Sequence, residues 1–174
     1  MAMVMVIDHS GSMLGDMNGQ GGSNLDVAIK ATNVAVDNLR DKDYVGVLTF
    51  DDGYSWQVAL TKAEDRESIK TEVKKIEAGG GTTIKPALQE AYRVISGSDA
   101  SVKHVILLTD GMGETTNYTD VIKNYSESGI TLSTVAVGRD SDTKLLENLA
   151  EECGGRYYYS DLSSDIPKIF AREV

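Results

Sequence analysis

The chain has very little cysteine, proline or aromatic residue. Its 174 residues include one cysteine, Cys153, and two prolines, and only 6% are aromatic. A single cysteine cannot form an internal disulfide, which excludes a disulfide-stapled scaffold, and "EECGG" lacks the spacing of a zinc site. We therefore interpret Cys153 as a small, mostly buried apolar residue at the end of a helix that Gly154 and Gly155 close.

Positive charge is also scarce. The sequence has 17 Lys and Arg residues against 27 Asp and Glu residues, which gives a formal net charge of -10 at pH 7. A nucleic-acid or anionic-membrane surface needs clustered Lys and Arg to neutralise phosphates, so both classes of partner are disfavoured. Cations and basic partners match the composition better.

Long hydrophobic runs are missing as well. No apolar segment approaches the ~18 residues that a membrane-spanning helix needs, and no signal peptide precedes the first predicted strand. With 41% hydrophobic residues, the chain is long enough for one sizeable core. We expect a soluble domain that covers residues 1–174, without insertion into a membrane.

Short apolar segments alternate along the chain with segments of helical periodicity. Ala2 to Ile7 is apolar throughout, as expected of a parallel strand covered on both faces, whereas "WQVAL" alternates like an antiparallel edge strand. This order predicts a doubly wound, Rossmann-like α/β fold: a mostly parallel sheet of about six strands with one antiparallel edge strand and helices on both faces. The other predicted strands are "YVGVLTF", "HVILLT", "LSTVAVG" and "RYYY". The first predicted helix begins after Ser23 or Asn24. The later predicted helices are Asp65 to Ile76, Pro86 to Ile95, "YTDVIKNYSESG", "TKLLENLAEECGG" and "DIPKIFAREV".

Oxygen-bearing side chains follow the ends of the predicted strands. Asp8, Ser10 and Ser12 lie in "VIDHSGSM" after the first strand, and Asp110 lies in "LLTDG" after a later one. Between them, Thr82 follows the three glycines of "AGGGTTIKPAL". Ligands of doubly wound sheets bind outside the carboxyl ends of the strands, so we expect these loops to meet there. A site made only of oxygen donors selects a hard cation such as Mg²⁺, Mn²⁺ or Ca²⁺.

The three motifs "DHSGS", "GGGT" and "LLTDG", in this order, resemble the metal-ion-dependent adhesion site of von Willebrand factor A domains, the family that includes integrin I domains. The similarity covers nearly the whole chain. The family's pattern places a ligand directly after the glycines, which favours Thr82 over the adjacent Thr83. The resemblance implies a divalent cation, with Mg²⁺ expected first and Mn²⁺ or Ca²⁺ as alternatives, bound by Asp8, Ser10, Ser12, Thr82 and Asp110.

The same resemblance implies a function. In these adhesion domains hydroxyls coordinate the cation directly and one or both aspartates act through water, so the metal keeps much of its charge and an open position. A protein partner fills that position with a Glu or Asp carboxylate, which an acidic domain can bind because the local ion outweighs the net charge. We therefore expect a protein-interaction or adhesion module rather than an enzyme.

The resemblance also carries expectations for the surroundings of the site. The segment from "STVAVG" to the end of the chain resembles A domains of large bacterial membrane proteins, which implies a longer, membrane-anchored parent. A last helix containing Phe170 is expected to shift when a ligand binds. Apolar residues of the flanking loops are expected to contact the partner: Met13, Met17, Met112 and Tyr118.

Other interpretations stay open on the residues alone. A metal-assisted hydrolase or phosphatase could also place Asp8 at a strand end. However, "DHS" lacks the second aspartate of a DxD loop, and "GGGTTIKP" lacks the Gly-Lys-Ser/Thr of a phosphate loop. A structural module with a vestigial site is a third possibility. His9 and His104 are interpreted as structural, and Asp51 and Asp52 as turn residues.

Overall fold

The structure is a computed structural model that describes residues 1–9, 11–14, 23–77, 79–81, 83–109, 117–137, 143–160 and 169. Within these ranges, strands and helices follow one another along the chain in the order that the sequence predicts. The described elements are, in chain order, β1 (Ala2–Asp8), a short 3-10 helix (Gly11–Leu14), α1 (Asn24–Asn38), β2 (Tyr44–Phe50), β3 (Tyr54–Lys62), α2 (Arg66–Val73), α3 (Ile84–Ser96), β4 (Lys103–Thr109), α4 (Thr119–Glu127), β5 (Thr131–Val137), α5 (Thr143–Glu152) and β6 (Gly154–Ser160).

The described strands form one six-stranded sheet in the order β3-β2-β1-β4-β5-β6. All neighbouring pairs are parallel except β2 and β3, which are antiparallel, so β3 is the antiparallel edge strand. This arrangement confirms the predicted fold class. The strand order reverses between β1 and β4, and in doubly wound sheets such a switch point is where ligands bind.

Both faces of the sheet are covered, and β1 shows how. All seven of its residues are buried, and successive side chains point to opposite faces. Met3, Met5 and Ile7 pack with apolar residues of α1 and α2, whereas Val4 and Val6 pack with those of α3, α4 and α5. A continuous apolar run is therefore the correct pattern for a central parallel strand.

The helix after the first loop begins where the sequence predicts. Ser23 is the N-cap residue of α1: its hydroxyl accepts a hydrogen bond from the Asp26 amide at 3.1 Å, and its own amide donates to Asp26 Oδ2 at 3.1 Å. This capping box satisfies two backbone amides, those of Ser23 and Asp26, that have no partner within the helix. It fixes the point at which the chain leaves the carboxyl edge of the sheet.

The last strand is longer than predicted. Gly154 has a φ of 71°, which suits the residue that follows a helix, and α5 does end just before it, at Glu152. However, Gly154 already pairs with Leu132 of β5, so both glycines belong to β6 rather than only closing the helix. The four residues of "RYYY" thus lie inside a strand of seven.

Cys153 lies between α5 and β6 and is 3% exposed. Burial raises the pKa of its thiol to about 11, so the group stays protonated at neutral pH. A protonated, enclosed thiol neither attacks nor ligates a metal readily, which confirms the interpretation as a small buried residue. Within the described part of the chain, no helix combines the length and apolar character needed to cross a membrane.

Candidate metal centre

Asp8 lies at the end of β1, at the switch point of the sheet. Its side chain is completely buried, and its Oδ2 accepts a hydrogen bond from the Thr109 hydroxyl at 2.7 Å. Thr109 ends β4, the parallel neighbour of β1, where Ile7 pairs with Leu108. Asp110 follows Thr109 directly, and consecutive Cα atoms are about 3.8 Å apart. The side chain of Thr109 thus tethers the start of the Asp110 loop to Asp8.

The glycine-rich loop before α3 is tied to the same edge of the sheet by backbone hydrogen bonds. The amide of Gly79 donates to the carbonyl of His9 at 2.8 Å, and the amide of Gly11 donates to the carbonyl of Gly80 at 3.0 Å. On the far side of Thr82, the amide of Thr83 donates to the carbonyl of Asp51 at 2.7 Å. Both neighbours of the Thr82 segment are therefore anchored to the loops that follow β1 and β2.

Two features of the structure favour glycine at position 80. Its φ of 84° lies in the left-handed region that favours glycine, and a Cβ atom there would lie 2.7 Å from Asp51 Oδ2. The glycine-rich character of "AGGGT" thus permits close contact between this loop and the turn after β2.

The predicted metal ligands differ in how far the structure describes them. Asp8 is described in full, and Ser12 lies in the 3-10 helix, although its side chain is outside the described part. Ser10, Thr82 and Asp110 lie outside the described residues. Among the residues that are described, no group of three or more His, Cys, Asp or Glu side chains could hold a metal ion.

His9 and Asp51 have contacts that sequence reasoning did not anticipate. The interpretation of Asp51 as a turn residue is confirmed, because its Oδ1 accepts a hydrogen bond from the Gly53 amide at 3.0 Å. The imidazole Nδ1 of His9 lies 2.9 Å from the Glu77 carbonyl, and its Nε2 lies 3.7 Å from Asp51 Oδ2. His9 occupies the variable second position of "DHSGS", so the motif itself gives no indication of this role.

A lysine connects the two helices that follow the candidate site. Lys85, in the first turn of α3, donates to the Asn117 carbonyl at 2.7 Å and forms an ion pair with Asp120 Oδ1 at 3.0 Å. Its hydrogen bond is the main cause of a lowered pKa of the Asp120 carboxyl. Asn117 is the first described residue after the Asp110 loop, so Lys85 holds the far end of that loop against α3.

Two residues predicted to contact a partner are buried instead. Met13 is fully buried and packs with α1 and the sheet, and Tyr118 is 4% exposed and packs with α3 and α4. The 3-10 helix turns Met13 inward, which a loop interpretation of "MLGDMNGQGG" did not foresee. These two predictions are wrong. Met17 and Met112 lie outside the described residues, as does the predicted last helix except Ile169, which is 8% exposed.

A family model for the von Willebrand factor type A domain matches residues 2–172. Among curated proteins, the chain is 24% identical over 180 residues to the uncharacterized protein YfbK of Escherichia coli, with 99% of this chain and 30% of YfbK covered. It is 30% identical over 173 residues to calcium-activated chloride channel regulator 3A-1 of Mus musculus, with 92% and 18% covered. The chain thus spans less than a third of either relative's length.

Solved structures agree with the family match. A von Willebrand factor type A structure from Catenulispora acidiphila superposes with a TM-score of 0.87 at 27% identity, covering 99% of this chain and 41% of that one. Proximal thread matrix protein 1 of the mussel byssus superposes with a TM-score of 0.81 at 21% identity, covering 99% and 45%. In that matrix protein structure, zinc occupies the metal-ion-dependent adhesion site.

Proposed function

Because this chain belongs to the von Willebrand factor type A domain family, we propose that it is a divalent-metal-dependent protein-interaction module. The partner contributes a Glu or Asp carboxylate to the metal. The proposal rests on the chemistry of the motifs and on the position of Asp8, and it is consistent with the zinc-occupied site of the mussel matrix protein. Mg²⁺ is the first candidate, and the proposed metal ligands are Asp8, Ser10, Ser12, Thr82 and Asp110.

The residues of the candidate site fit a hard cation. Every proposed donor is oxygen, and hard divalent cations prefer carboxylate, hydroxyl and water oxygens. Asp8 is completely buried, and burying a carboxylate is costly unless other groups compensate its charge. The hydrogen bond from Thr109 supplies part of that compensation, and a bound cation would add to it.

Different residues around the site have different roles. Thr109 orients the Asp8 carboxylate, and Lys85 restrains the far end of the Asp110 loop. Backbone hydrogen bonds of Gly79 and Gly80 fasten the Thr82 loop to the segment after β1. A bound divalent cation would supply a local positive charge with an open position for an acidic ligand. Binding a carboxylate there needs no proton transfer and no covalent bond, so the module can capture a partner without turnover.

The observation that most supports this proposal is the contact between Asp8 and Thr109. It joins the first motif to the residue before the second aspartate, at the switch point between β1 and β4. An isolated "DHSGS" that merely capped a helix would not require this pairing. The N-cap of α1 is in fact Ser23, so the serines of the motif are not needed for that purpose.

We expect a carboxylate-dependent selection of peptides in the presence of metal. The chain, immobilised, is exposed to a random peptide display library in Mg²⁺ and eluted with EDTA. Peptides that contain Glu or Asp should be enriched, and replacing the selected Glu by Gln should weaken binding at least about tenfold, a loss of about 1.4 kcal/mol. The physical reason is that an amide oxygen carries no net charge to offset the cation.

A parallel assay separates this function from the alternatives. Turnover of p-nitrophenyl phosphate by the chain, abolished in Asp8→Asn, would favour the metal-assisted phosphatase instead. Metal binding without any preference for carboxylate peptides would contradict the capture proposal. Absence of both metal binding and peptide selection would favour a vestigial site.

We further propose that the chain is one domain of a longer, membrane-anchored bacterial protein. Supporting this, the chain spans 30% of YfbK and 18% of the channel regulator, so a domain of this kind occurs within longer proteins. The resemblance of the segment from "STVAVG" onward to A domains of bacterial membrane proteins suggests the anchor. The coding sequence on either side of this domain tests the proposal, which requires an apolar span of about 20 residues.

A further inference from the structure

We propose that His9 is a positioning residue for the metal site, acting through the loop that carries Thr82. The inference rests on the proposed function, because it assigns to His9 the task of holding two ligand-bearing loops in register. His9 is not itself a proposed ligand. It lies between Asp8 and Ser10 in the first motif, and its contacts lead away from these neighbours toward the loop before α3.

The backbone of His9 joins three segments at the carboxyl edge of the sheet. Its amide donates to the Phe50 carbonyl at 3.0 Å, which extends the pairing of β1 with β2 by one residue. Its carbonyl accepts from the Gly79 amide at 2.8 Å. A single residue therefore connects the end of β2 to the glycine-rich loop, and these backbone bonds do not depend on a histidine side chain at position 9.

The imidazole adds a contact that most side chains could not make. A backbone carbonyl only accepts hydrogen bonds, so Nδ1 of His9 must donate to the Glu77 carbonyl at 2.9 Å. Glu77 lies two residues before Gly79, at the start of the loop. The loop is consequently held at its entry by the side chain of His9 and in its middle by the backbone of His9 and Gly11.

The exit of the loop is held by the turn after β2. The Thr83 amide donates to the Asp51 carbonyl, and the Asp51 carboxylate lies against Gly80 and 3.7 Å from Nε2 of His9. His9 thus touches both the segment that begins the loop and the residue that anchors its end. Since Thr82 lies between these anchors in the sequence, a change at position 9 should alter how its loop is held against the end of β1.

The distinguishing test is metal affinity in a graded series of His9 variants, measured on the 174-residue chain with Mg²⁺ by calorimetry and with Mn²⁺ by electron paramagnetic resonance. His9→Ala removes the donor, and the expected result is binding about tenfold weaker, the low end of the 10–100-fold loss that follows removal of a direct partner of a metal ligand, because His9 acts through the loop. His9→Asn places an amide nitrogen near the position of Nδ1, so it should recover most of the lost affinity. His9→Gln reaches nearer the position of Nε2, so it should stay weak.

The second histidine of the chain provides a matched control. His104 is 8% exposed, lies near the start of β4 at the opposite edge of the sheet, and has its Nδ1 2.6 Å from Thr131 Oγ1. His104→Asn should lower the melting temperature and leave the metal dissociation constant unchanged. A purely structural role of His9 would produce the same pattern in the His9 variants.

The outcomes separate this inference from the proposed function. If the unmodified chain binds Mn²⁺ and His9→Ala binds it equally well, His9 does not position the site, although the site itself stands. If His9→Asn is as weak as His9→Ala, the hydrogen bond to Glu77 is not the cause and the inference is overturned. If the unmodified chain and Asp8→Asn both fail to bind, the metal site itself is wrong.

Discussion

Replacing Asp8 with asparagine is expected to abolish the stabilisation of this chain by divalent metal while leaving the chain folded. Asparagine has nearly the same shape and keeps an oxygen that can accept the hydrogen bond from Thr109. It lacks the negative charge that a hard cation requires from the buried position at the end of β1. Function and fold are therefore separable at this residue.

The size of the effect follows from binding linkage. A metal that binds only the folded chain raises its free energy of unfolding by about 2.7 kcal/mol when the free metal is at 100 times its dissociation constant. We expect the unmodified chain to show this increase between EDTA and saturating Mg²⁺ in urea unfolding. Asp8→Asn should show none, and its midpoint should be the same in both conditions.

Asp43 provides a matched control for Asp8. It is also a buried aspartate, 3% exposed, but it precedes β2 at the opposite end of the strands and accepts hydrogen bonds from the Arg40 amide and from the amino terminus. Asp43→Asn should lower stability by the same amount in EDTA and in Mg²⁺, so that the metal-dependent increase persists. A metal-dependent increase that survives in Asp8→Asn would show that the cation binds elsewhere.

Much of this fold could be predicted because most strands are buried on both faces. The apolar runs of β1, β2, β4 and β5 cannot be mistaken for surface segments, and "HVILLT" differs from the observed β4 only by one residue at its start. The antiparallel edge strand β3 could be predicted because it is exposed on one face. One side of β3 faces solvent over much of its length, so its sequence alternates where the others do not.

The sequence also predicts that the loops carrying the motifs lie at one edge of the sheet, because this follows from a parallel strand arrangement. The carboxyl ends of parallel strands lie at the same edge of the sheet, so the residues that end β1 and β4 are expected there. The observed adjacency of these two strands brings Asp8 into contact with Thr109. The anchors of the Thr82 loop could not be predicted. They are single hydrogen bonds between residues about 30 to 70 positions apart, such as His9 Nδ1 to the Glu77 carbonyl, and no local pattern encodes them.

Burial of Met13 and Tyr118 shows a different limit. Both follow or precede loops rich in polar residues and glycine, so composition indicates exposure. Their packing depends on a 3-10 turn after β1 and on the approach of α4 to α3, which are tertiary features. A partner surface at this edge must therefore use side chains other than these two.

The largest effect on stability is expected at Gly155, where the sequence alone indicated only the end of a helix. The pairing of β5 with β6 shifts register between Leu132 and Thr134, and Gly155 lies in this irregular stretch. A Cβ atom on Gly155 would collide with the Leu132 carbonyl group and would lie 2.8 Å from the Ser133 amide nitrogen. These are backbone atoms, which cannot rotate away as a side chain would, so the strands themselves must separate.

We therefore expect Gly155→Ala to lower the free energy of unfolding by about 3 kcal/mol, at the upper end of the usual cost of overpacking.

Two other glycine variants provide reference values for this loss in the same urea experiment. Gly154→Ala would place a side chain at a φ of 71°, with its Cβ atom at an ordinary van der Waals distance of 3.7 Å from Thr131. Its free energy of unfolding should therefore fall by about 1 kcal/mol, from backbone strain alone. Gly53→Ala meets no atom within 4 Å in the turn between β2 and β3, and should change stability by less than about 0.5 kcal/mol. If Gly155→Ala is as stable as Gly53→Ala, β6 does not approach β5 as closely as the structure describes. If it is destabilised by about 3 kcal/mol, the close approach of this edge strand to β5 makes glycine necessary at position 155.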